Sequence, residues 1–577
     1  MKASYYSVLK PLAIAVASAS LLIGCGSDDN SSTSNTDTNT DTTTVADSED
    51  TALAFDTSNY TTVNVTVDGE AVAVRQYKIV YVANPINMAS AYRMGVTSTV
   101  SDPHIYQTMI VSVPEASLAN QSTAIFFMVN NSGWFNSPAA ASVTESGAYS
   151  STSDTDKVGA ALKAGYVLID VGTRSRGLRA EDGTYAGKAP APVVDAKAAI
   201  RYLRLNDSRM PGSAERIVVN GTSGGGGLTS AIAASGNSAD YLPFLSAIGA
   251  AGVSGSDDSL TSTLNDDVFA AVAYCPINNL GNADAGYEWQ YNAIRSDANT
   301  GAINGVAYSA GPQPAASAAI AATYPDYLAS LGLKLDDGTD LTADNINDAT
   351  IAQLKAEIER QIAAGVDVPA YGEYFSVTQR GVTSEVLNDW LVLSGSGTSA
   401  TVESIDFEKF LTFVTTPIAL KTVVAFDSVG VNSVTTGTSG ETNLFGNENY
   451  EYSNFSAWSW DNNAVVADGS GSDDTGMTWA DYISSSDGAD LATQLKLINP
   501  LAYLSTDSTA APHWYIRHGM IDRDTAFAMQ TALYYAVKND PDVQDVSFKL
   551  PYLVPHSGNY DVQEAFAWIK DTLDAAN

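Results

Sequence analysis

The stretch that decides the fold is Arg216-Ile217-Val218-Val219-Asn220-Gly221-Thr222-Ser223-Gly224-Gly225-Gly226-Gly227. Its β-branched start predicts a buried strand, and residues 228–234 after it predict a helix of small and apolar residues. Gly-x-Ser-x-Gly between a strand and a helix is typical of a sharp turn that exposes one serine at the edge of a sheet. Glycines beside the serine remove Cβ atoms that would crowd the turn. Ser223 is therefore the candidate nucleophile.

Strands and helices alternate around this turn. Apolar runs at 124–129, 165–171 and 270–275 predict buried strands, and 190–205 predicts an amphipathic helix. This order predicts an α/β fold with a mostly parallel sheet covered by helices. The alternation of strands and helices stops after Pro276 and resumes at His513, so we expect an inserted lid over the carboxyl edge of the sheet. The predicted domains are a signal peptide (1–24), a disordered acidic tether (25–53), the first part of the core (54–284), the lid (285–500) and the second part of the core (501–577).

The N-terminus predicts export and lipid anchoring. Lys2 and Lys10 precede a short apolar run that ends Leu22-Ile23-Gly24-Cys25, which is typical of a signal peptide. The ending resembles a bacterial lipobox, with Cys25 as the lipidated first mature residue; an ordinary signal peptide with a chance cysteine is the alternative. Gly26 favours the outer membrane by resemblance to Gram-negative lipoproteins, and the inner membrane stays open. Residues 26–53 carry acidic side chains and no Lys or Arg, which predicts a disordered tether.

Composition limits the partners and cofactors. The 577 residues carry a net charge of −36, which argues against nucleic acid because phosphate binding needs a basic face. The four histidines and two cysteines show no metal-ligand spacing, so we expect neither a metal nor another cofactor. The second cysteine, Cys275, lies in an apolar run and is expected to be a small buried residue. The expected partners are a small-molecule substrate and, through the N-terminal lipid only, a membrane.

A nucleophilic serine needs a base that accepts its proton and a carboxylate that orients the base. The candidate bases are His104, His513, His518 and His556. His104 precedes a predicted strand and His513 begins one, so neither is expected at the carboxyl edge. In α/β-hydrolases the order along the chain is serine, acid, base, each after a strand. His556 follows the last predicted strand and is the expected base, with His518 as the alternative.

Two carboxylates compete for the role of the acid. Asp522 follows the end of the strand that begins at His513 more directly than Asp524 does, so Asp522 is preferred and Asp524 stays open. The negative charge that develops on the substrate oxygen needs backbone N–H donors. One is expected from Gly224, directly after the nucleophile. The other is expected near Gly133, in the polar loop after the buried strand 124–129.

Five segments together resemble one family, the bacterial tannases and tannase-like (subtype B) esterases. These segments are Val-Asn-Gly-Thr-Ser-Gly-Gly-Gly (219–226), Ala-Tyr-Cys-Pro-Ile (273–277), Ala-Asp-Ala-Gly-Tyr-Glu-Trp (283–289), Glu-Thr-Asn-Leu-Phe-Gly (441–446) and His-Gly-Met-Ile-Asp-Arg-Asp (518–524). The resemblance covers most of the chain after residue 60. It implies an α/β-hydrolase fold with a large lid and cleavage of galloyl or related aromatic esters. It also implies Ser223, Asp522 and His556 as the triad, with Glu441 and Asp524 binding hydroxyls of the acyl ring.

The lid departs from the family pattern at one position. Tannases pair these carboxylates with a lysine slightly upstream of the glutamate, but residues 422–441 contain none and Lys421 only borders them. The acyl group is therefore left open between galloyl, feruloyl and other phenolic acids. Two further hypotheses are a peptidase of prolyl-oligopeptidase type, although no propeller repeat precedes the core, and a non-catalytic binding protein on the same fold.

Overall fold

The computed structural model describes residues 48–576, apart from 257–258, 296–300, 304–305, 309–311, 429–439 and 463–474. The strands are β1 (Thr61–Val67), β2 (Glu70–Val80), β3 (Met88–Arg93), β4 (Val96–Thr99), β5 (Thr108–Pro114), β6 (Ile125–Val129), β7 (Ala148–Tyr149), β8 (Val167–Val171), β9 (Leu178–Ala180), β10 (Ile217–Thr222), β11 (Val253–Ser254), β12 (Thr261–Ser262), β13 (Ala270–Tyr274), β14 (Gly301–Ile303), β15 (Val306–Tyr308), β16 (Tyr374–Gln379), β17 (Val382–Leu387), β18 (Leu391–Ser394), β19 (Thr401–Ile405), β20 (His513–Arg517) and β21 (Asp545–Lys549).

The α-helices alternate with the central strands and fill the long insertion before β20. They are α1 (Ser48–Ala52), α2 (Lys157–Ala164), α3 (Ala191–Leu205), α4 (Gly224–Ala234), α5 (Leu242–Ala247), α6 (Leu280–Tyr291), α7 (Pro312–Ala321), α8 (Tyr324–Ser330), α9 (Ile346–Ala363), α10 (Phe407–Thr415), α11 (Ala457–Asp461), α12 (Trp479–Ile483), α13 (Ser486–Leu497), α14 (Phe527–Asn539) and α15 (Val562–Ala575).

The main sheet has the strand order β21-β20-β13-β10-β6-β8-β5-β2-β1-β7. From β8 to β21 six neighbouring strands run parallel. The pairs β8–β5, β5–β2 and β2–β1 are antiparallel, and β7 pairs parallel with β1 at the far edge. Strands β6, β8, β13 and β20 are buried along their whole length, as expected where helices cover both faces of a sheet. The carboxyl ends of β10, β20 and β21 therefore meet at one edge, with β13 between the first two.

The insertion occupies residues 275–512, between the adjacent strands β13 and β20. The predicted lid boundaries, 285–500, lie inside it. Aromatic side chains of the insertion pack on one another and on the core. Trp390 stacks on Phe375 within the insertion, and the ring centroid of Phe410 lies 5.5 Å from that of Phe527 in α14. In the aromatic stretch 448–460, Phe455 and Trp460 are buried within the insertion.

The sequence also predicts a turn at Asp68-Gly69 and strands at 77–82, 105–113 and 546–554, and the bounds of these three strands differ from the structure. The turn joins β1 and β2 as predicted, but β2 is a single strand from Glu70 to Val80. Residues 105–107 form a 3₁₀ turn before β5, so the strand expected from Ile105 begins at Thr108. The last strand, β21, ends at Lys549 rather than at 554, because Pro551 supplies no N–H for a ladder.

The folded chain begins before the end of the predicted tether. Residues 48–52 form α1, and Leu53 is buried. The Asp50 side chain accepts a hydrogen bond from the Gly252 N–H (2.8 Å), and Asn206 binds backbone groups of both Leu53 and Phe55. These contacts, rather than local composition, order this end of the acidic stretch. Cys25 and the predicted signal peptide lie outside the described residues. Within the described part of the chain, no helix combines the length and the apolar character needed to span a bilayer.

Candidate active site

The turn between β10 and α4 places Ser223 at the carboxyl edge of the sheet. Ser223 has φ 62° and ψ −123°, a backbone conformation that non-glycine residues seldom adopt. Its N–H donates to the Tyr274 carbonyl of the neighbouring strand (2.9 Å), and its carbonyl accepts from the N–H groups of Gly227 and Ile277. Backbone hydrogen bonds on both sides thus hold the strained residue in place.

A chain of hydrogen bonds joins three of the predicted side chains. The Nε2 atom of His556 lies 2.9 Å from Ser223 Oγ, and its Nδ1 atom lies 2.8 Å from Asp522 Oδ2. Ser223 follows β10, Asp522 follows β20 and His556 follows β21. The structure therefore brings together the serine, base and acid that the sequence predicts. This arrangement permits proton transfer from the serine to an imidazole that a carboxylate orients.

Charge and burial have opposite effects on the pKa values of His556 and Asp522. Burial alone lowers the pKa of His556, but the charge of Asp522 and the hydrogen bond to it outweigh burial and hold that pKa well above the usual value. Burial raises the pKa of Asp522, yet the charge of His556 and its hydrogen bond lower that pKa to about 2. The carboxylate therefore stays ionised and stabilises a positive charge on the imidazole.

Asp524 and His518, the alternative acid and base, lie beside the hydrogen-bonded group Ser223–His556–Asp522 and are not part of it. Asp524 Oδ2 lies 4.0 Å from His556 Nδ1, and its Oδ1 atom pairs with Arg523 (2.9 Å), so Asp522 holds the orienting position. His518 is fully buried, with Nδ1 3.4 Å from Asp522 Oδ2 and its ring edge-on to Phe527. Burial lowers the pKa of His518.

The two backbone N–H donors predicted for the oxyanion come from adjoining segments. Gly224 is the first residue of α4, so its N–H has no acceptor within the helix. A Cβ atom on Gly224 would lie 3.0 Å from the carbonyl carbon of Gly133, which has φ 60°. The loop that carries Gly133 thus packs directly on the first turn of α4, next to the serine.

Glu441 begins a short 3₁₀ turn in the insertion and is buried. Burial outweighs the opposing charges of Arg176 and Lys421 and raises the pKa of the Glu441 carboxyl above its usual value. Lys421, the lysine that borders residues 422–441, has its Nζ atom 4.1 Å from the centre of the Phe426 ring.

Arg176 is a further residue at this place, and sequence reasoning did not select it. Its Nη2 atom lies 3.6 Å from Glu441 Oε1. The only sequence signal was the pair Arg174 and Arg176 directly after the buried strand β8, at the edge where the other site residues gather.

Cys275 is buried, as predicted, and also contacts the candidate base. Its Sγ atom donates to the Ser557 carbonyl (3.1 Å) and lies 4.0 Å from His556 Nε2. In the described residues Cys275, Asp522 and His556 each offer a potential metal-ligating atom within 4.8 Å of the others. Both nitrogens of His556 already face Asp522 and Ser223, so the triad geometry accounts for this cluster.

Comparison with known proteins identifies the chain. The BD-FAE family model matches residues 115–290. The structure of tannin acyl hydrolase from Lactobacillus plantarum is 30% identical, with 90% of this chain and 99% of that chain covered and a TM-score of 0.68. Fusobacterium nucleatum tannase is 28% identical (90% and 99% covered, TM-score 0.67). A tannin acyl hydrolase in complex with ethyl gallate is 29% identical (91% and 99% covered, TM-score 0.67). No curated protein matches the chain.

The fold and these comparisons define the chain as a carboxylic ester hydrolase with the α/β-hydrolase fold. Both the fold class and the family resemblance predicted from the sequence are thereby confirmed. The chain belongs to the bacterial tannase family.

Proposed function

We propose that this enzyme hydrolyses esters of hydroxylated aromatic acids, such as galloyl or feruloyl esters, through an acyl-enzyme on Ser223. The observation that carries the proposal is His556, which lies within hydrogen-bond distance of Ser223 Oγ on one side and of Asp522 on the other. The complexes of related tannin acyl hydrolases with ethyl gallate and 3,4-dihydroxybenzoate support the aromatic acyl group.

The proposed reaction has two halves. His556 Nε2 accepts the proton of Ser223 Oγ while Oγ attacks the acyl carbon, and the N–H groups of Gly224 and Gly133 stabilise the resulting oxyanion. Collapse breaks the ester C–O bond, and the leaving alcohol takes the proton from His556. Water then repeats the sequence on the acyl-enzyme: it gives its proton to His556, attacks the acyl carbon, and releases the acid as Ser223 regains a proton.

Three ionisable side chains form the proposed acyl-binding end. Glu441 and Asp524 accept hydrogen bonds from the ring hydroxyls, and the ammonium group of Lys421 donates to a ring oxygen. The burial of Glu441 beside Arg176, with 3.6 Å between Arg176 Nη2 and Glu441 Oε1, supports a ligand role for this carboxylate. In this proposal Lys421 supplies the cation that the two carboxylates need, and galloyl esters stand among the expected substrates beside feruloyl esters.

A substrate panel tests the proposal. Methyl gallate, methyl ferulate, methyl benzoate, p-nitrophenyl acetate and a peptide amide are each incubated with the wild-type enzyme, with Ser223→Ala as the blank. We expect cleavage of the phenolic methyl esters with a higher kcat/KM than that of an unsubstituted methyl benzoate, and no cleavage of the amide. Cleavage of the amide with the esters untouched would contradict the proposal and support the peptidase hypothesis.

We also propose that Cys25 is lipidated and anchors the enzyme to the bacterial cell envelope, at the outer membrane. The lipobox-like Leu22-Ile23-Gly24-Cys25 and the acidic stretch after it support the proposal. Metabolic labelling with a palmitate analogue should label the wild-type chain and not Cys25→Ser, and sucrose-gradient fractions should place the labelled enzyme with outer-membrane markers. Equal labelling of both chains would contradict lipidation at Cys25.

A further inference from the structure

Arg176 connects the oxyanion loop to the acyl-binding carboxylate. Its backbone forms an isolated parallel bridge with Phe135, two residues after Gly133. Its guanidinium carbon lies 3.8 Å above the centre of the Phe135 ring. One side chain thus lies between the loop that offers the Gly133 N–H and the turn that begins at Glu441.

The guanidinium group is held on several sides. Its Nη1 atom donates to the Gly440 carbonyl and to Asn443 Oδ1 (3.3 Å), and its Nη2 atom lies 3.6 Å from Glu441 Oε1. The same Nη2 atom would be 3.4 Å from a Cβ atom on Gly133. Arginine provides a planar, rigid set of donors together with a face that stacks on an aromatic ring, whereas lysine provides neither.

We propose that Arg176 is a positioning residue that determines acyl specificity. It holds the Glu441 carboxylate in one orientation, so that Glu441 accepts hydrogen bonds from hydroxyls on the acyl ring of the substrate. This inference rests on the proposed function. Loss of Arg176 should therefore impair the hydrolysis of esters with ring hydroxyls more than that of esters without them.

The experiment compares kcat and KM for methyl 3,4-dihydroxybenzoate and methyl benzoate. The variants are Arg176→Gln, Arg176→Lys, Glu441→Gln and the double variant Arg176→Gln/Glu441→Gln. Arg179→Gln is the matched control, because Arg179 is an exposed arginine three residues further along. We expect Arg176→Gln to reduce the preference for the dihydroxy ester about tenfold or more, mainly through KM. The double variant should lose no more than Glu441→Gln alone, and Arg179→Gln should keep the preference.

The outcomes distinguish a failure of the role of Arg176 from a failure of the proposed function. Equal loss on both esters, or additive losses in the double variant, would overturn the role of Arg176 and leave the proposed function standing. A wild-type enzyme without preference for the dihydroxy ester would overturn both. If the Arg176 variants fail to fold, Phe135→Leu removes the stacking partner and keeps the guanidinium. A reduced preference in Phe135→Leu supports the inference, and an unchanged preference contradicts it.

Discussion

Gly224 packs so closely against the backbone of Trp134 that a Cβ atom on Gly224 would overlap the Trp134 nitrogen and lie 2.5 Å from the Asn131 carbonyl oxygen. The first turn of α4 and the loop around Gly133 are therefore in backbone-to-backbone contact. Because two backbone segments fix each other, the two candidate oxyanion donors are preorganised without any side chain between them.

Gly224→Ala should displace this loop and lose one oxyanion donor. We expect kcat/KM for p-nitrophenyl acetate to fall about 10²–10³-fold. Gly281→Ala is the control, since Gly281 is also helical and its added Cβ would meet only the flexible Leu495 side chain at 3.3 Å. Circular dichroism checks that both variants are folded. A folded Gly224→Ala enzyme with wild-type activity would show that this contact does not serve the reaction.

The pH profile should reflect the raised pKa of His556. Only the neutral imidazole can accept the serine proton, so kcat/KM should rise with pH, with a midpoint above about 6.5, the ordinary histidine value. Asp522→Asn removes the charge that raises this pKa and should move the midpoint to lower pH. The measurement is kcat/KM for p-nitrophenyl acetate between about pH 5 and 9. A midpoint below 6.5 in the wild-type enzyme, or no shift in the variant, would argue against the electrostatic coupling.

Variants of Asp522 and Asp524 should have different effects on the kinetics, because the two carboxylates have different roles. Asp522→Asn removes the group that orients His556 and should lower kcat about 10⁴-fold for every ester. Asp524→Asn should mainly raise KM for esters with ring hydroxyls and change methyl benzoate hydrolysis little. Steady-state kinetics on methyl gallate and methyl benzoate distinguish the two. If Asp524→Asn proved the more damaging variant on methyl benzoate, the assignment of the acid would be reversed.

A buried carboxylate pair should make stability depend on pH. Asp284 of α6 accepts hydrogen bonds from the N–H groups of residues 425–427 and lies near Asp427. Burial raises the pKa of Asp427 to about 6, and burial with the charge of Asp427 raises that of Asp284 to about 7. Both folded-state values exceed the ordinary 3.8, so the folded protein binds protons more tightly than the unfolded chain.

The unfolding free energy should therefore decrease as pH rises from about 4 to 7, between the ordinary pKa of 3.8 and the folded-state values. Urea unfolding at several pH values measures this slope. Asp284→Asn should be less stable overall and show a shallower slope, whereas Asp326→Asn, an exposed position on α8, should keep the wild-type slope. Stability that increases with pH over this range would contradict the predicted effect of the pair.

The sequence predicted the parts of the site that local chemistry determines. Ser223 is identified by a turn that needs its own glycines, and His556 by the scarcity of histidines and the order of strands. Parallel strands carry their carboxyl ends to one edge, so the order serine, acid, base along the chain converts into proximity. The strand order therefore predicts the proximity of three residues that are up to 333 positions apart in the sequence.

Arg176 was missed for a physical reason. Its contact with Glu441 depends on how the insertion folds back onto the sheet, which no local periodicity encodes. Arg176 is 265 positions away from Glu441 and reaches it only because the loop after β8 packs on Phe135. The start of the folded chain at Ser48 has the same cause, since distant partners such as Asn206 order it.

The most direct test of the central claim is the activity of Ser223→Ala on methyl gallate, with covalent labelling of the wild-type enzyme by a fluorophosphonate. Ser484→Ala is the matched control, because Ser484 is an exposed serine in the insertion. We predict a loss of about 10⁴-fold or more in kcat for Ser223→Ala, no loss for Ser484→Ala, and a probe adduct on the peptide containing Ser223. A Ser223→Ala enzyme that retains most of its activity, or a wild-type adduct on another residue, would contradict the account.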